Sequence, residues 1–92
     1  MIIAFADSET QKLFNTGHSI RFANIERLAL RKLDMINAAC NINTLRIPPG
    51  NHLEKLKGDR KNSYSIKIND QWRICFKWND KHAYDVEIVD YH

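Results

Sequence analysis

The feature that most constrains the fold is a period-two alternation of apolar and polar side chains in the second half of the chain. It occupies three runs, at 63–69, 72–78 and 82–91. Alternation of this kind places successive side chains on opposite faces of a strand. The pair Asn69-Asp70 suits a two-residue hairpin turn, and Asn79-Asp80-Lys81 suits a second turn. The pattern predicts an antiparallel three-stranded meander.

The first half of the chain predicts a strand followed by two helices. The apolar, β-branched start at 1–5 is typical of a strand. Ser8 and Gln11 have the spacing of a capping box, with Ser8 as the helix cap, and Gly17 is a suitable helix end. Apolar residues then recur at helical spacing from about 22 to 39. The predicted class is α+β: an N-terminal strand, two helices and then the antiparallel three-stranded meander, with both helices on one face of the sheet.

Lys32 interrupts the apolar side of the longer predicted helix. That side carries Ile25, Leu28, Ala29, Leu33, Met35, Ile36 and Ala39. We expect the Lys32 stem to follow the edge of the core while its amine reaches water; a functional Lys32 is the less favoured alternative. After this helix, Ile47-Pro48-Pro49-Gly50 ends any helix or central strand.

The composition predicts one globular domain covering 1–92. The 92 residues are 43% apolar, and the apolar stretches are too short to span a membrane. The N-terminus lacks the features of a signal peptide, so we expect a cytoplasmic protein without a membrane association. Cys40 and Cys75 have no zinc-binding spacing, and a reduced pair is favoured over a disulfide. We expect no metal and no cofactor.

Basic side chains are concentrated between His52 and Lys77. The formal net charge is only +3, but this segment holds three acidic residues against seven basic ones, namely Lys55, Lys57, Arg60, Lys61, Lys67, Arg73 and Lys77. Strand alternation puts Ser65, Lys67, Arg73 and Lys77 on the face opposite the apolar side chains, toward solvent. A local basic cluster is typical of a surface that binds phosphate groups of RNA, although a simple solvated face has the same composition.

Several blocks of residues in this order resemble the HigB branch of the RelE/ParE toxin superfamily. They are Arg31-Lys32-Leu33, Pro48-Pro49-Gly50-Asn51, Leu53-Glu54, Leu56-Lys57-Gly58-Asp59-Arg60, Tyr64-Ser65-Ile66, Asn69-Asp70-Gln71-Trp72-Arg73-Ile74-Cys75-Phe76 and the terminal Asp90-Tyr91-His92. The resemblance covers most of the chain.

The resemblance implies a toxin of a type II toxin–antitoxin system. Such toxins are ribosome-dependent endoribonucleases that cut mRNA in the A site of the 70S ribosome. Their partner is a HigA-type helix-turn-helix antitoxin, and operator DNA is bound only through the toxin–antitoxin complex. Two alternatives remain on the same fold: a ParE-like toxin that inhibits gyrase, and a catalytically inactive module that binds an antitoxin or RNA.

Metal-independent RNA cleavage with the 2′-hydroxyl as nucleophile requires a base, an acid and a cation that stabilises the phosphorane. Arg73 matches the family's arginine, and its planar guanidinium can hold two phosphate oxygens. Lys57 is expected to contact phosphate or assist proton transfer, because Gly58-Asp59 is expected to form a tight turn that orients Lys57 and Arg60. The remaining candidates for RNA contact are Lys55, Lys61, Lys67 and Lys77.

The proton-transfer residues are less defined. The resemblance implies functional side chains at the C-terminus, with His92 as general acid or base, Tyr91 contacting the substrate and Asp90 orienting a neighbour. Some HigB-type toxins carry a histidine at the position of Glu54. Since His52 lies two residues earlier here, the base is Glu54, His52 or a terminal residue.

Overall fold

The computed structural model describes residues 1–58 and 62–90. Over these residues it contains two α-helices, two 3₁₀ turns and four strands: α1 (Ser8–Thr16), α2 (Glu26–Ala38), the turns Ile42–Arg46 and Pro49–Asn51, β1 (Glu54–Lys55), β2 (Ser63–Lys67), β3 (Trp72–Asn79) and β4 (His82–Asp90). The strands form one antiparallel sheet in the order β1-β2-β3-β4. The α+β class and the meander β2-β3-β4 are confirmed. The short strand β1 was not predicted.

The N-terminal segment is not the regular strand that its composition predicts. It runs parallel to β4 and meets it in two isolated bridges, Ile2 with Ala83 and Phe5 with Val86. Between these bridges Asp85 has a φ of 51°, which is a left-handed conformation and interrupts the alternation of β4. A continuous ladder cannot form across that irregularity.

The N-cap of helix α1 lies one residue earlier in the chain than predicted. The N-cap is Asp7, not Ser8, and its carboxylate accepts a hydrogen bond from the Thr10 backbone N–H at 2.6 Å. A carboxylate at this position also interacts favourably with the helix dipole. Gly17 ends the helix with a φ of 83°, and its N–H donates to the Leu13 carbonyl oxygen, as predicted.

Helix α2 is shorter than the predicted 22–39. Phe22 and Ile25 precede it in turns but are still buried. Leu28, expected on the apolar side, is 37% exposed. The core between the helices and the sheet is formed chiefly by Leu13, Phe22, Ala29, Leu33, Ile36, Leu45, Ile66, Ile74, Phe76, Val86 and Ile88.

Lys32 is more enclosed than the prediction of an amine in water implies. The residue is 8% exposed, and its Nζ donates to Oδ1 of the fully buried Asn51. Asn51 lies in the second 3₁₀ turn, after the Pro48-Pro49-Gly50 block. The proline-rich segment therefore folds back onto α2 and supplies the acceptor for the amine.

The two turns of the meander differ. The first spans the four residues 68–71, and the Asn69 side chain accepts from the backbone N–H groups of Gln71 and Trp72 at 2.9 and 2.8 Å. The predicted two-residue turn with positive φ at Asn69-Asp70 is wrong, since an Asx turn satisfies the backbone instead. The second turn occurs as predicted, with Asp80 and Lys81 at φ 45° and 74°.

The irregularity in β4 changes which side chains share a face. Cys75 pairs with Glu87, but Lys77 pairs with Tyr84, so the register shifts between them. Tyr84 therefore lies on the face of Lys77 and Glu87, and not with Val86 and Ile88 as strict alternation predicted. Neither helix in the described part of the chain has the length and apolarity needed to cross a membrane.

Candidate functional site

Arg73 lies near the start of β3, on the sheet face opposite the helices, and it is almost fully buried there. It is 6% exposed. Its Nε donates to Ser65 Oγ at 3.0 Å, and its Nη2 donates to the His52 carbonyl oxygen at 2.7 Å. The predicted solvent exposure of Arg73 and Ser65 is wrong, since both are buried and the His52 backbone approaches the guanidinium from the segment before β1.

Glu54 comes to Arg73 through the strand that the sequence did not predict. Glu54 pairs with Ser65 across β1 and β2, which puts the two side chains on the same face. Glu54 Oε2 lies 3.9 Å from Arg73 Nη2, and the Glu54 side chain is 53% exposed. A carboxylate open to solvent thus stands beside a guanidinium that is not.

These residues line a pocket of about 240 Å³. Its walls are formed by His52, Glu54, Lys67, Asn69, Asp70 and Arg73. Two cations face two carboxylates, and Lys67 Nζ is 3.0 Å from Asp70 Oδ1. The pocket is therefore close to charge-balanced, unlike the wholly basic face that composition suggested.

Four predicted site residues thus meet in one pocket, and the structure adds two more. His52 contributes in two ways, since its backbone has a φ of 45° and its carbonyl oxygen accepts from Arg73, while the residue also lines the pocket. Asn69 and Asp70 were treated as turn residues only. Their position between the strands that carry Lys67 and Arg73 is the signal that would have included them.

Other predicted residues lie apart from this pocket. Lys55 pairs with Tyr64, on the opposite face from Glu54. Lys57 is exposed beside Gly58, whose φ of 81° fits the predicted turn. Lys77 forms an exposed ion pair with Asp85 at 3.4 Å and lines a second groove on the same sheet face.

The end of β4 lies near the pocket, but its last described residue, Asp90, is on the other face of the sheet. Asp90 pairs with Trp72, the neighbour of Arg73, and its Oδ2 accepts from Gln71 Nε2 at 3.2 Å. By alternation Asp90 is on the face opposite Arg73. The predicted roles of Arg60, Lys61, Tyr91 and His92 fall outside the described residues.

Three further observations concern ionisable groups. Burial lowers the pKa of Lys32 from its ordinary value, and the nearby Arg31 lowers it further. Cys40 is exposed and Cys75 buried, and both are free thiols. Over 1–58 and 62–90, no group of three or more His, Cys, Asp or Glu side chains is arranged to hold a metal ion.

Comparison with known proteins agrees with the resemblance seen in the sequence. The family model for the RelE-like toxin of type II toxin-antitoxin system HigB matches residues 3–92. This chain belongs to the HigB-like toxin family. A family relative, Toxin HigB-1 of Vibrio cholerae serotype O1, is 37% identical over 82 residues, covering 87% of this chain and 86% of that protein. Endoribonuclease HigB of Proteus vulgaris is 32% identical over 94 residues and is covered in full, as is this chain.

Solved structures show that this HigB-like chain has a RelE-like fold. YafQ of E. coli matches with a TM-score of 0.58 at 19% identity, over 98% of this chain and 91% of that one. The YoeB-YefM complex of Staphylococcus aureus contains a chain that matches with a TM-score of 0.55 at 16% identity, over 100% of this chain and 98% of that one. The predicted RelE-like arrangement is confirmed.

Proposed function

We propose that this HigB-like toxin is a ribosome-dependent endoribonuclease that cuts mRNA in the A site without a metal ion. The pocket that joins Arg73, Glu54, His52 and Lys67 is the observation that carries the proposal. It combines a preoriented cation, a solvent-accessible carboxylate and an imidazole, which are the groups that phosphoryl transfer from a 2′-hydroxyl requires. The relative in Proteus vulgaris, named an endoribonuclease, supports the same activity.

The reaction is an internal transfer within the RNA chain. A base removes the proton of the 2′-hydroxyl, the 2′ oxygen bonds to the adjacent phosphorus, and the bond from phosphorus to the 5′ oxygen breaks. An acid protonates the departing 5′ oxygen. The products are a 2′,3′-cyclic phosphate and a 5′-hydroxyl, and neither water nor a redox partner is consumed. Negative charge grows on the non-bridging oxygens as the phosphorane forms, so a fixed cation lowers the barrier.

Arg73 is assigned to the phosphorane, with Lys67 as a second cation at the pocket wall. Arg73 suits this task because Ser65 and the His52 carbonyl hold its guanidinium in place before substrate arrives. The general base is Glu54 or His52, which both line the pocket. His92 is assigned the complementary proton transfer.

The remaining parts of the proposal concern partners and setting. We propose a HigA-type helix-turn-helix antitoxin as the partner, with operator DNA bound through the complex only. A chain of this fold is found in the heterotetrameric YoeB-YefM toxin-antitoxin complex of Staphylococcus aureus, which supports an antitoxin partner. A single toxin domain over 1–92 and action in the cytoplasm complete the proposal.

The test is cleavage of a defined mRNA programmed on 70S ribosomes. Wild-type protein should release fragments that end in a 2′,3′-cyclic phosphate, and a 2′-deoxy nucleotide at the cut site should abolish them. Arg73→Ala should lower the single-turnover rate about 100-fold or more, the usual loss on removing a preorganised transition-state donor. Arg27→Ala, an exposed arginine of α2, is the matched control and should cut at the wild-type rate.

The same assay separates the alternatives. Glu54→Gln and His52→Asn identify the base, since Asn retains the left-handed backbone that His52 adopts. Ribosome binding without new RNA ends would contradict the proposal and favour an inactive binding module. Uncut mRNA in this assay, together with inhibition of plasmid supercoiling by purified gyrase, would favour the gyrase inhibitor. Rescue of a phosphorothioate substrate by a thiophilic cation would contradict a metal-independent mechanism.

A further inference from the structure

Lys32 is the buried cation that the proposed chemistry does not use. It extends from α2 on the helix side of the sheet, and it is 8% exposed. Among the ion pairs of the described residues none involves Lys32. Its amine instead donates to Oδ1 of Asn51, a neutral acceptor. A buried ammonium without a carboxylate partner is costly compared with an apolar side chain. Stability alone would therefore favour an apolar residue at position 32.

Asn51 connects that amine to the backbone of the proline-rich segment. It is fully buried. Its Nδ2 donates to the Leu45 carbonyl oxygen at 3.0 Å and lies 3.5 Å from that of Ile47. An ammonium can only donate, so Lys32 requires the amide oxygen on its side and directs the Asn51 NH₂ group toward these carbonyls. Lys32 thus orients the side chain around which residues 45–51 fold.

The segment held by Asn51 leads directly into the pocket. The next residue is His52, in the left-handed conformation with φ 45°. Its carbonyl oxygen accepts the 2.7 Å hydrogen bond from Arg73 Nη2. Two residues further on, Glu54 begins β1 and approaches the same nitrogen. A single peptide unit therefore separates the Asn51 anchor from the acceptor that orients the Arg73 guanidinium.

We propose that Lys32 is a positioning residue for Arg73, acting through Asn51 and the His52 carbonyl. Lys32 lies on the far side of the sheet from the pocket and does not touch the substrate. It fixes the path of 49–52, and that path sets the distance and direction of the carbonyl to which Arg73 donates. This inference deepens the proposed function and rests on it for its catalytic consequence, but the orientation of Arg73 can be measured without any cleavage.

The first experiment measures the environment of Arg73 directly. Lys32→Met keeps the length of the stem and removes the donor. In ¹⁵N spectra of arginine side chains, assigned with Arg73→Lys, the Arg73 Nε–H resonance should shift or broaden in Lys32→Met. Leu13→Val, a buried change in α1, is the control for lost stability and should leave that resonance in place. An unchanged Arg73 resonance in folded Lys32→Met would overturn the proposal.

The second experiment measures the catalytic consequence at a temperature where each variant is folded. Lys32→Met should lower the single-turnover rate at saturating ribosomes by about tenfold to 100-fold with KM unchanged, as expected for a misplaced catalytic group. In an Arg73→Ala background it should cause no further loss. Equal losses in both backgrounds would mean that Lys32 does not act through Arg73. Lys32→Arg, which retains a donor, should recover most of the rate.

A second variant and the spectra distinguish failure of this proposal from misfolding of Lys32→Met and from failure of the proposed function. If Lys32→Met fails to fold, Asn51→Asp tests the same link, because it keeps the acceptor for Lys32 but loses the donor to the Leu45 and Ile47 carbonyls. The Arg73 resonance should shift in that variant, and an unchanged resonance would count against the proposal. If wild-type protein cuts no mRNA, the proposed function fails, while the spectra still decide whether Lys32 positions Arg73.

Discussion

At the scale of the residue, Arg73 shows how a buried cation is kept in one orientation. Its guanidinium donates to the Ser65 hydroxyl and the His52 carbonyl, while the Ser65 carbonyl lies 3.5 Å from Nη2. These acceptors are neutral, and the carboxylate of Glu54 is farther away, at 3.9 Å. The acceptors fix the direction of the guanidinium, so Arg73 presents itself to a phosphate at the pocket in one orientation.

Lys32 gives a residue-scale prediction about pH. Its pKa is lowered by burial and by Arg31, so between that lowered value and 10.5 the unfolded chain binds more protons at this site than the folded chain does. The free energy of unfolding of wild-type protein should therefore rise with pH through this window relative to Lys32→Met, and the difference should be constant below it. Urea unfolding of both proteins from neutral pH upward measures this difference. A difference that falls with rising pH would show that the pKa is raised instead.

At the scale of the element, α1 is specified mainly at its ends. The Asp7 carboxylate satisfies the Thr10 backbone N–H and also accepts from the Thr10 hydroxyl at 3.0 Å. The Gly17 conformation stops the helix at the other end. The helix is short, so a single cap forms a large part of its local stability.

The element-scale prediction compares the two candidate caps. Asp7→Ala should lower the free energy of unfolding by about 1 kcal/mol, the typical value for a lost N-cap. Ser8→Ala should change it by less than about 0.5 kcal/mol, as an exposed substitution without a capping bond. Thermal or urea unfolding measures both, with Asp7→Asn as the control that keeps a side-chain acceptor. If Ser8→Ala lost more unfolding free energy than Asp7→Ala, the result would support Ser8 as the cap, as the sequence predicted.

At the scale of the whole molecule, one edge of the sheet is completed by elements that are distant in sequence. The N-terminal segment pairs with β4 at Ala83 and Val86. Further along β4, the Ile88 N–H donates to Oγ1 of Thr10 in α1, at 3.1 Å and fully buried. The helix therefore satisfies a backbone group at the point where the parallel segment has ended.

Thr10 gives the prediction at this scale. Thr10→Val keeps the shape of the side chain but leaves the Ile88 N–H without its acceptor, and should cost about 1–3 kcal/mol of unfolding free energy. The amide of Ile88 should also exchange faster with deuterium. Thr16→Val is the matched control, because that threonine of the same helix is exposed and water can replace its hydrogen bonds. Equal effects of the two changes would contradict the role assigned to Thr10.

The sequence by itself determined the α+β class, the meander and much of the candidate site. These follow from local rules: side-chain alternation in β2 and β3, helical spacing in α2, and the glycine end at Gly17. The family resemblance singled out Arg73, Glu54 and His52, which meet in one pocket. These features were accessible because each depends on neighbours in the chain or on a motif read in order.

Only the tertiary structure decided which groups are buried and which share a face. Alternation predicts the face of Arg73 but not its burial, because the His52 carbonyl and the Glu54 carboxylate reach it from about 20 positions earlier in the chain. The register shift at Asp85 moves Tyr84 to the other face, and no local pattern marks it. Likewise, the helical pattern predicts that the Lys32 amine lies in water. Its hydrogen-bond partner Asn51 could not be found from that pattern, because it is 19 positions away. Long-range contacts of this kind fix solvent access, and solvent access decides what these side chains can do.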